Sequence, residues 1–418
     1  MKGIHCCFLV KSAFVTLLVS TAVSMTAAAA AGKEFAAGAP PAALCRVLSD
    51  APLIWDAPDS DWIQSVRILG TFQYQYANID GTGSDGRDFD YNTDEFRRVW
   101  LGAGIDAVKI LHIQGQWILI KDGTPKGGDR EFDNQMWELY ATLNAAEYIA
   151  IDGLKELLAG YGRRIVHMGA EWHTSSTKIK TVERSAIANK IWSDDNESSN
   201  PTGAWLKSRY GNTDFTLGAF SSETSEGLAD WNCGTLYYVS LTQKIGKTPA
   251  DVILDGFYQD TDAGHDTLAG GVRWVSSAAV EYSRGSGYFT INTIYGNNGT
   301  QSEPEREGDF WAFVLLPSYY IWRDKLEAVM RYEYQAAENP LGADINSRYA
   351  GRAEKKGDVF LEQNGRGDRH QSFYLGLNYY LCGHRLKLMS GIEYEDMQSR
   401  GSHVYDGMTG FLAMRMHL

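Results

Sequence analysis

Polar and apolar residues alternate along short segments through most of this chain. In KLEAVMRYEYQ (Lys325–Gln335), Leu326, Ala328, Met330, Tyr332 and Tyr334 fall on one strand face, and Glu327, Arg331, Glu333 and Gln335 on the other. ILHIQGQWIL sets Ile113 and Trp117 against His112, Gln114 and Gln116. FYLGLNYYL carries Phe373, Leu375, Leu377, Tyr379 and Leu381 on one face. GFLAMRMHL carries Leu412, Met414, Met416 and Leu418 opposite Arg415 and His417. The pattern predicts about sixteen strands between residues 64 and 418.

The connections alternate as well. Short ones are expected near Asp106–Val108, Gly211–Asn212, Ile245–Pro249, Arg284–Ser286, Arg323–Asp324 and Gly383–His384. Long ones are expected at Ile79–Thr93, Asp122–Asp133, His167–Gly203, Glu223–Asn232, Thr261–Ala269, Asn297–Gly308, Glu338–His370 and Gln398–Gly407. A soluble sandwich has no reason to lengthen every second connection. A membrane barrel does, with short periplasmic turns and long external loops. The fold class read from the sequence is therefore all-β: a transmembrane antiparallel barrel at residues 62–418, with outer-membrane lipid against its apolar face.

The start of the chain reads as an export signal. Lys2 and Lys11 flank the n-region, Ala13–Met25 is apolar, and TAAAAAG (Thr26–Gly32) offers small-residue cleavage sites. A signal peptide over 1–31 and an N-terminal periplasmic segment over 32–61 are expected. No later stretch is apolar for the length a membrane helix needs. The formal charge of −13 argues against nucleic acid as a partner, since phosphate contacts need a basic footprint. Cys45, Cys233 and Cys382 are too dispersed for a disulfide framework or zinc site, though they leave room for one bridge. Their pairing stays open.

Motifs for chemistry are sparse. GTGSDG (Gly81–Gly86) matches a nucleotide-loop spacing but no helix follows, so a turn is expected. Asp80, Asp85, Asp88 and Asp90 lack the spacing of a calcium loop. His167 and His173 beside Glu171 lack the helical spacing of a zinc site. No cofactor, metal or catalytic set is expected. A lipase-type hydrolase or a surface structural β-protein are the readings from other classes, separable by Ser→Ala scanning and by solubility without detergent.

The long connection after the fifth strand holds the most specific stretch, GAEWHTSSTKIKTVERSAIAN (Gly169–Asn189). It mixes Glu171, Lys178, Lys180, Glu183 and Arg184 with small hydroxyls. Folded into a barrel mouth, it would narrow the lumen and set both charge signs across the path. One strand, TDEFRRVWLGAGI, poses a geometric problem: strict alternation sends Arg98 inward and Arg97 outward. A bulge, a hydrated rim or a neighbouring subunit would each accommodate Arg97.

With VRILGTFQYQYANIDG and EFRRVWLG, this loop resembles the phosphate-selective porin O and P family over most of the chain. The resemblance implies a sixteen-stranded homotrimeric porin whose third external loop folds inward, with Arg97 and Arg98 at the constriction. It implies a passive outer-membrane channel for small ions and solutes in a Gram-negative-type bacterium, with anions and phosphate as candidate cargo. Two positions depart from the phosphate-selective pattern. Thr71 in GTFQ stands where an arginine is expected, and Asp260–Ala269 lacks lysine. Arg67, Lys207, Arg209, Arg273, Arg331, Lys387 and Arg415 are expected on the lumen wall, sharing it with Glu138, Glu281, Glu327, Glu333 and Glu393.

Overall fold

The computed structural model describes residues 42–121, 131–149, 151–192, 200–222, 228–229, 231, 234–261, 271–299, 304–345 and 347–418. The expected signal peptide, Cys233 and the lysine-free stretch after Thr261 lie outside the described residues, as do most of the connections after Lys121 and Ser222.

A helix, α1 (Ala42–Asp50), is followed by β1 (Leu53–Asp56), β2 (Ile63–Thr82), β3 (Asp88–Ala107), β4 (Leu111–Lys121), β5 (Glu131–Asn144) and β6 (Leu154–Arg163). Two short helices, α2 (Ala170–His173) and α3 (Ala186–Ile191), precede β7 (Thr202–Tyr210), β8 (Thr213–Ser221), β9 (Gly234–Lys244) and β10 (Ala250–Thr261). Then come β11 (Trp274–Arg284), β12 (Gly287–Asn297), β13 (Asp309–Trp322) and β14 (Leu326–Ala337). A fourth helix, α4 (Arg348–Lys356), leads to β15 (Arg369–Tyr380), β16 (Leu386–Ser399) and β17 (Ser402–His417).

From β2 to β17 each strand pairs antiparallel with its sequence neighbours, and β17 pairs back with β2 (Met414↔Tyr74), closing a sixteen-stranded barrel. Closure removes the free edges that an open sheet would expose. One stretch of edge would remain, because β17 reaches only Thr71 of β2. Here β1 covers the gap, with Leu53 opposite Arg67 and Asp56 opposite Ser65. Part of the segment read from the sequence as an N-terminal tail thus joins the sheet.

The faces follow the alternation. On β14, Glu327, Arg331 and Glu333 are 0% exposed, whereas Met330 and Tyr332 are exposed. Around the barrel the exposed set is apolar: Leu206, Leu217, Val239, Leu254, Val280 and Leu375. Exposed aromatics mark both ends of this band. Tyr237, Tyr258, Tyr295 and Trp311 lie toward the loop end, and Tyr210, Tyr319 and Trp322 toward the turn end. An apolar outer band between aromatic girdles is what a bilayer selects.

The strands differ in height. β7 and β8 have 9 residues each, about what a tilted strand needs to cross a bilayer, whereas β2 and β3 have 20. The expected long loop Ile79–Thr93 is therefore corrected: it is mostly a continuation of β2 and β3, turning at Gly83–Arg87. There Gly86 takes a φ of 73° that a side chain would resist. Likewise the expected loop Gln398–Gly407 is a tight turn at Arg400–Gly401 between β16 and β17. The Asp, Asn and Gly content of these hairpins reads as loop, but ladder pairing outside the membrane overrides it.

Among the described residues, two connections turn inward. Residues 164–192, carrying α2 and α3, pack Met168, Trp172, Ile187 and Trp192 against Trp205, Phe257, Val275 and Phe310 of the wall. Residues 338–368, carrying α4, pack Tyr349, Ala350 and Ala353 against Tyr91, Tyr374, Tyr405 and Phe411. The core of this molecule is the inside of its barrel.

Candidate pore constriction

The register of β2 against β3 slips at the two arginines: Gln73 faces Arg98, while Tyr74 faces Phe96. The slip is a β-bulge that inserts Arg97 as an extra residue and turns it toward the lumen beside Arg98. Both side chains are buried, each 8% exposed. Strict alternation fails at this point, and the bulge is how a strand with one apolar face brings two adjacent arginines inside.

Arg97 grips the inward loop. Its Nε donates to Glu183 Oε1 at 2.9 Å and its Nη2 to Oε2 at 3.4 Å, a fork-to-carboxylate pair. Gln75 donates to the same Glu183 at 2.7 Å and to Glu95 of β3 at 2.9 Å. Glu95 then receives the second loop. Arg352 Nη2 reaches Glu95 at 2.6 Å, Arg348 Nη2 lies at 3.2 Å, and the Tyr349 hydroxyl donates at 2.7 Å. One patch of β2 and β3 thus ties both inward loops to the wall. Burial alone would raise the Glu183 carboxyl, but Arg97, Arg348, Arg98 and Arg415 around it hold it well below the usual range.

The local sequence explains α4. Ser347 caps its first turn by accepting from Ala350 N–H at 3.1 Å. Gly357 ends it in the left-handed region, φ 79°, with its N–H on the Glu354 carbonyl. Arg348 and Arg352 are one turn apart and so meet the same carboxylate.

The irregular stretch Ile179–Glu183 is held chiefly by its backbone. Lys387 donates to the carbonyl of Ile179, Asn378 to Lys180 at 2.8 Å, Arg415 to Val182, and Arg331 to Glu183 at 2.7 Å. Arg331 also pairs with Glu393 and lies 3.4 Å from Glu171, while Lys180 pairs with Glu327. Farther on, the Glu333 carboxylate accepts from Ala186 N–H at 2.9 Å and Ile187 N–H at 2.7 Å, filling the open N-terminus of α3.

The candidates named from sequence separate into groups. Arg97, Glu183, Glu171, Lys180, Arg331, Lys387 and Arg415 converge on the loop–wall contact. Arg331, Lys387 and Arg415 lie on the lumen wall beneath the loop and donate to its carbonyls. Arg184 is also engaged, donating to the Glu171 and Thr174 carbonyls and stacking on Trp172 at 4.3 Å. Arg98 differs: it donates to Gln73 at 2.9 Å and lies 5.6 Å from the Trp100 ring, with no described carboxylate at ion-pair distance. Lys178 in the loop, Arg67 at the turn end and Arg273 at the loop end are exposed. Lys207 pairs with Glu156, and Arg209 with Glu156 and Asp214, near the turn end.

Sequence reasoning missed Glu95, Gln75, Arg348, Tyr349 and Arg352. The Ser347-to-Gly357 span carried a readable helix signal, a capping serine and a terminating glycine ten residues apart. The zinc reading is not supported. His173 bonds Asp255 at 2.9 Å while Glu171 turns to Ser185, and among the described residues no group of three such side chains could hold a metal ion.

Against β4–β9, toward the turn end, the lumen keeps a cavity of about 730 Å³. It is lined by aromatic rings, hydroxyls and a few charges, including Tyr140, Arg164, Trp205, Thr216 and Ser240.

No protein-family model matches the sequence, and no curated protein matches it significantly. Solved structures do resemble it. Pseudomonas putida OprB has a TM-score of 0.52 at 11% identity, over 84% of this chain and 94% of that one. OmpT, an outer membrane protein of Vibrio cholerae, has 0.51 at 12%, over 85% and 97%. The outer membrane channel DcaP of Acinetobacter baumannii has 0.50 at 13%, over 85% and 97%. At these identities the likeness establishes the fold: this chain is a closed sixteen-stranded β-barrel of the outer-membrane type.

Proposed function

We propose that the chain is an outer-membrane porin, a passive diffusion channel for small hydrophilic solutes and ions with a preference for anions. Support for the channel comes from the apolar outer band, the polar lumen and the loop crossing it. The anion preference rests on one observation: Arg98 faces the lumen beside Arg97, Arg184 and Arg415, yet has no described carboxylate at ion-pair distance. A guanidinium without a carboxylate at ion-pair distance attracts anions and repels cations along a narrow path. Loop residues Glu171 and Glu183 hold the constriction in place and balance part of its field.

A phosphate- or polyphosphate-selective channel is the narrower reading. The Gly169–Asn189 motif and the paired arginines favour it, whereas Thr71 and the lysine-free Asp260–Ala269 weigh against it. The same resemblance makes a homotrimer the assembly to test, by native mass spectrometry in detergent.

The test is reversal potential in a KCl gradient across a planar bilayer. The expected result is an anion-selective potential in the wild type that moves toward zero in Arg98→Gln. An unchanged potential in the variant removes Arg98 as its source. Saturable block by phosphate, lost in Arg98→Gln, would establish the narrower reading. Folded, inserted barrels without conductance would overturn the porin reading.

A further inference from the structure

The 730 Å³ cavity contains a cation that the loop clamp does not use. Arg164 follows β6 directly, where the chain leaves the wall. Its Nε donates to the Ile165 carbonyl at 3.2 Å. Its guanidinium carbon lies 4.7 Å from the Trp205 ring centroid and 5.8 Å from that of Tyr140. The two rings meet edge to face at 5.7 Å and form a fixed platform beneath it.

The other charges around this cavity are engaged. Lys207 pairs with Glu156 at 3.2 Å, Lys109 with Asp61 at 3.0 Å, His112 with Asp106 at 2.7 Å and His173 with Asp255 at 2.9 Å. His167 is held neutral, its pKa pushed well down by burial and by His173 and Arg164 beside it. Among the described residues no carboxylate comes within 4 Å of Arg164. The nearby Glu138 is taken by Ile165 N–H and by Gln114, both at 3.2 Å.

A guanidinium fixed by stacking, whose terminal nitrogens have no hydrogen-bond partner among the described residues, matches the two oxygens of a carboxylate. The surrounding wall supplies Thr142, Thr216, Ser240 and Thr242, which bond hydroxyls. Asp106 and Asp214 also line the cavity, so a dianion meets more opposing charge than a monoanion. We propose that Arg164, seated on Trp205 and Tyr140, is a lumen subsite for the carboxylate of small hydroxylated organic acids. The proposal rests on the porin reading and refines it by naming a solute class.

The probe is gluconate, added to single wild-type and Arg164→Gln channels in KCl and, separately, titrated calorimetrically into the folded proteins in detergent. Glutamine keeps a planar group over the rings and removes the charge. Gluconate should block the wild-type current saturably, and its affinity should fall about tenfold or more in Arg164→Gln in both measurements, as loss of a charge-assisted bond implies. Conducting channels with no gluconate block, or block and binding unchanged in Arg164→Gln, would overturn the subsite while leaving the porin reading intact. Phosphate block as strong as gluconate block, and equally dependent on Arg164, would overturn the carboxylate assignment. Absence of any KCl current from folded barrels would remove the porin reading and the subsite with it.

Discussion

The lumen of this barrel has two walls built from the same kinds of residue and used in opposite ways. Along β14–β17, β2 and β3, buried Arg, Lys, Glu and Gln side chains close on two inward loops. Along β4–β9, Arg164, hydroxyls and aromatic rings border an open cavity. On the first wall most of the described cations are spent on the loops, paired with a carboxylate such as Glu183 or Glu393 or donating to a loop carbonyl such as those of Ile179 and Val182. Among the described residues of the second wall, the Arg164 guanidinium has no carboxylate at ion-pair distance. A count of lumen-facing charges therefore does not tell what a passing ion meets. What matters is which charges are already engaged, because a buried ion pair projects little field while a guanidinium without a carboxylate keeps more of it.

Breaking the loop wall at Arg331 should have the largest effect. Arg331→Met removes a donor shared by the Glu183 carbonyl, Glu393 and Glu171, and takes the guanidinium away from the buried Glu393. Uncompensated buried charges of this kind cost about 3–5 kcal/mol. The loop should become open to protease in the folded, detergent-solubilised barrel, and the unfolding midpoint on unboiled gels should drop. Arg164→Met on the open wall should leave both unchanged.

Glu95→Gln comes next. It takes the shared carboxylate from Arg348 and Arg352, worth about 3 kcal/mol to the docking of α4. Cleavage should appear within residues 338–368 and not within 164–201, because Glu183 keeps Arg97. Simultaneous cleavage of both loops would mean that they dock as one unit.

Acid titration sharpens the comparison further. Glu183 has a folded pKa below the unfolded value of about 4.5. Its contribution to docking is therefore complete above about 4.5, and is lost only as pH falls through the depressed folded value. Conductance of the wild type should hold between pH 7 and pH 4. In Arg97→Gln the largest favourable charge is gone, so conductance should change as pH crosses the ordinary carboxylate range. Equal profiles would show that Glu183 does not set loop position.

The smallest effect is expected from Tyr349→Phe. It deletes one hydroxyl donor to Glu95 and should lower α4 docking by about 1 kcal/mol, visible as a modest rise in the cleavage rate of that loop.

Much of this architecture is legible in the chain. The period-two alternation assigns Glu327, Arg331 and Glu333 to the inside and Met330 and Tyr332 to the outside, because a barrel wall has only two faces. The inward loop is legible in its length and its mixed charges. The bulge at Arg97 is legible only as a conflict between alternation and the cost of an outward arginine. The tall hairpins are not: residues 79–93 are rich in Asp, Asn and Gly, and ladder pairing over a 20-residue strand decides their form. The partners inside the lumen are the least legible. Arg331 meets the Glu183 carbonyl across 148 residues, and a backbone acceptor leaves no side-chain signature. Arg164 is hidden for the opposite reason, since what distinguishes it is that no carboxylate among the described residues comes to ion-pair distance.

The most direct measurement is single-channel conductance of the wild type and Arg97→Glu in the same bilayer. The reversal sets a carboxylate against Glu183 and Glu95 at the point where both loops are tied. Steady conductance in the wild type and larger, noisier conductance in Arg97→Glu would show a conducting lumen narrowed by a loop clamped to its charged wall. Identical conductance in the two, or folded wild-type barrels that pass no current, would contradict that account.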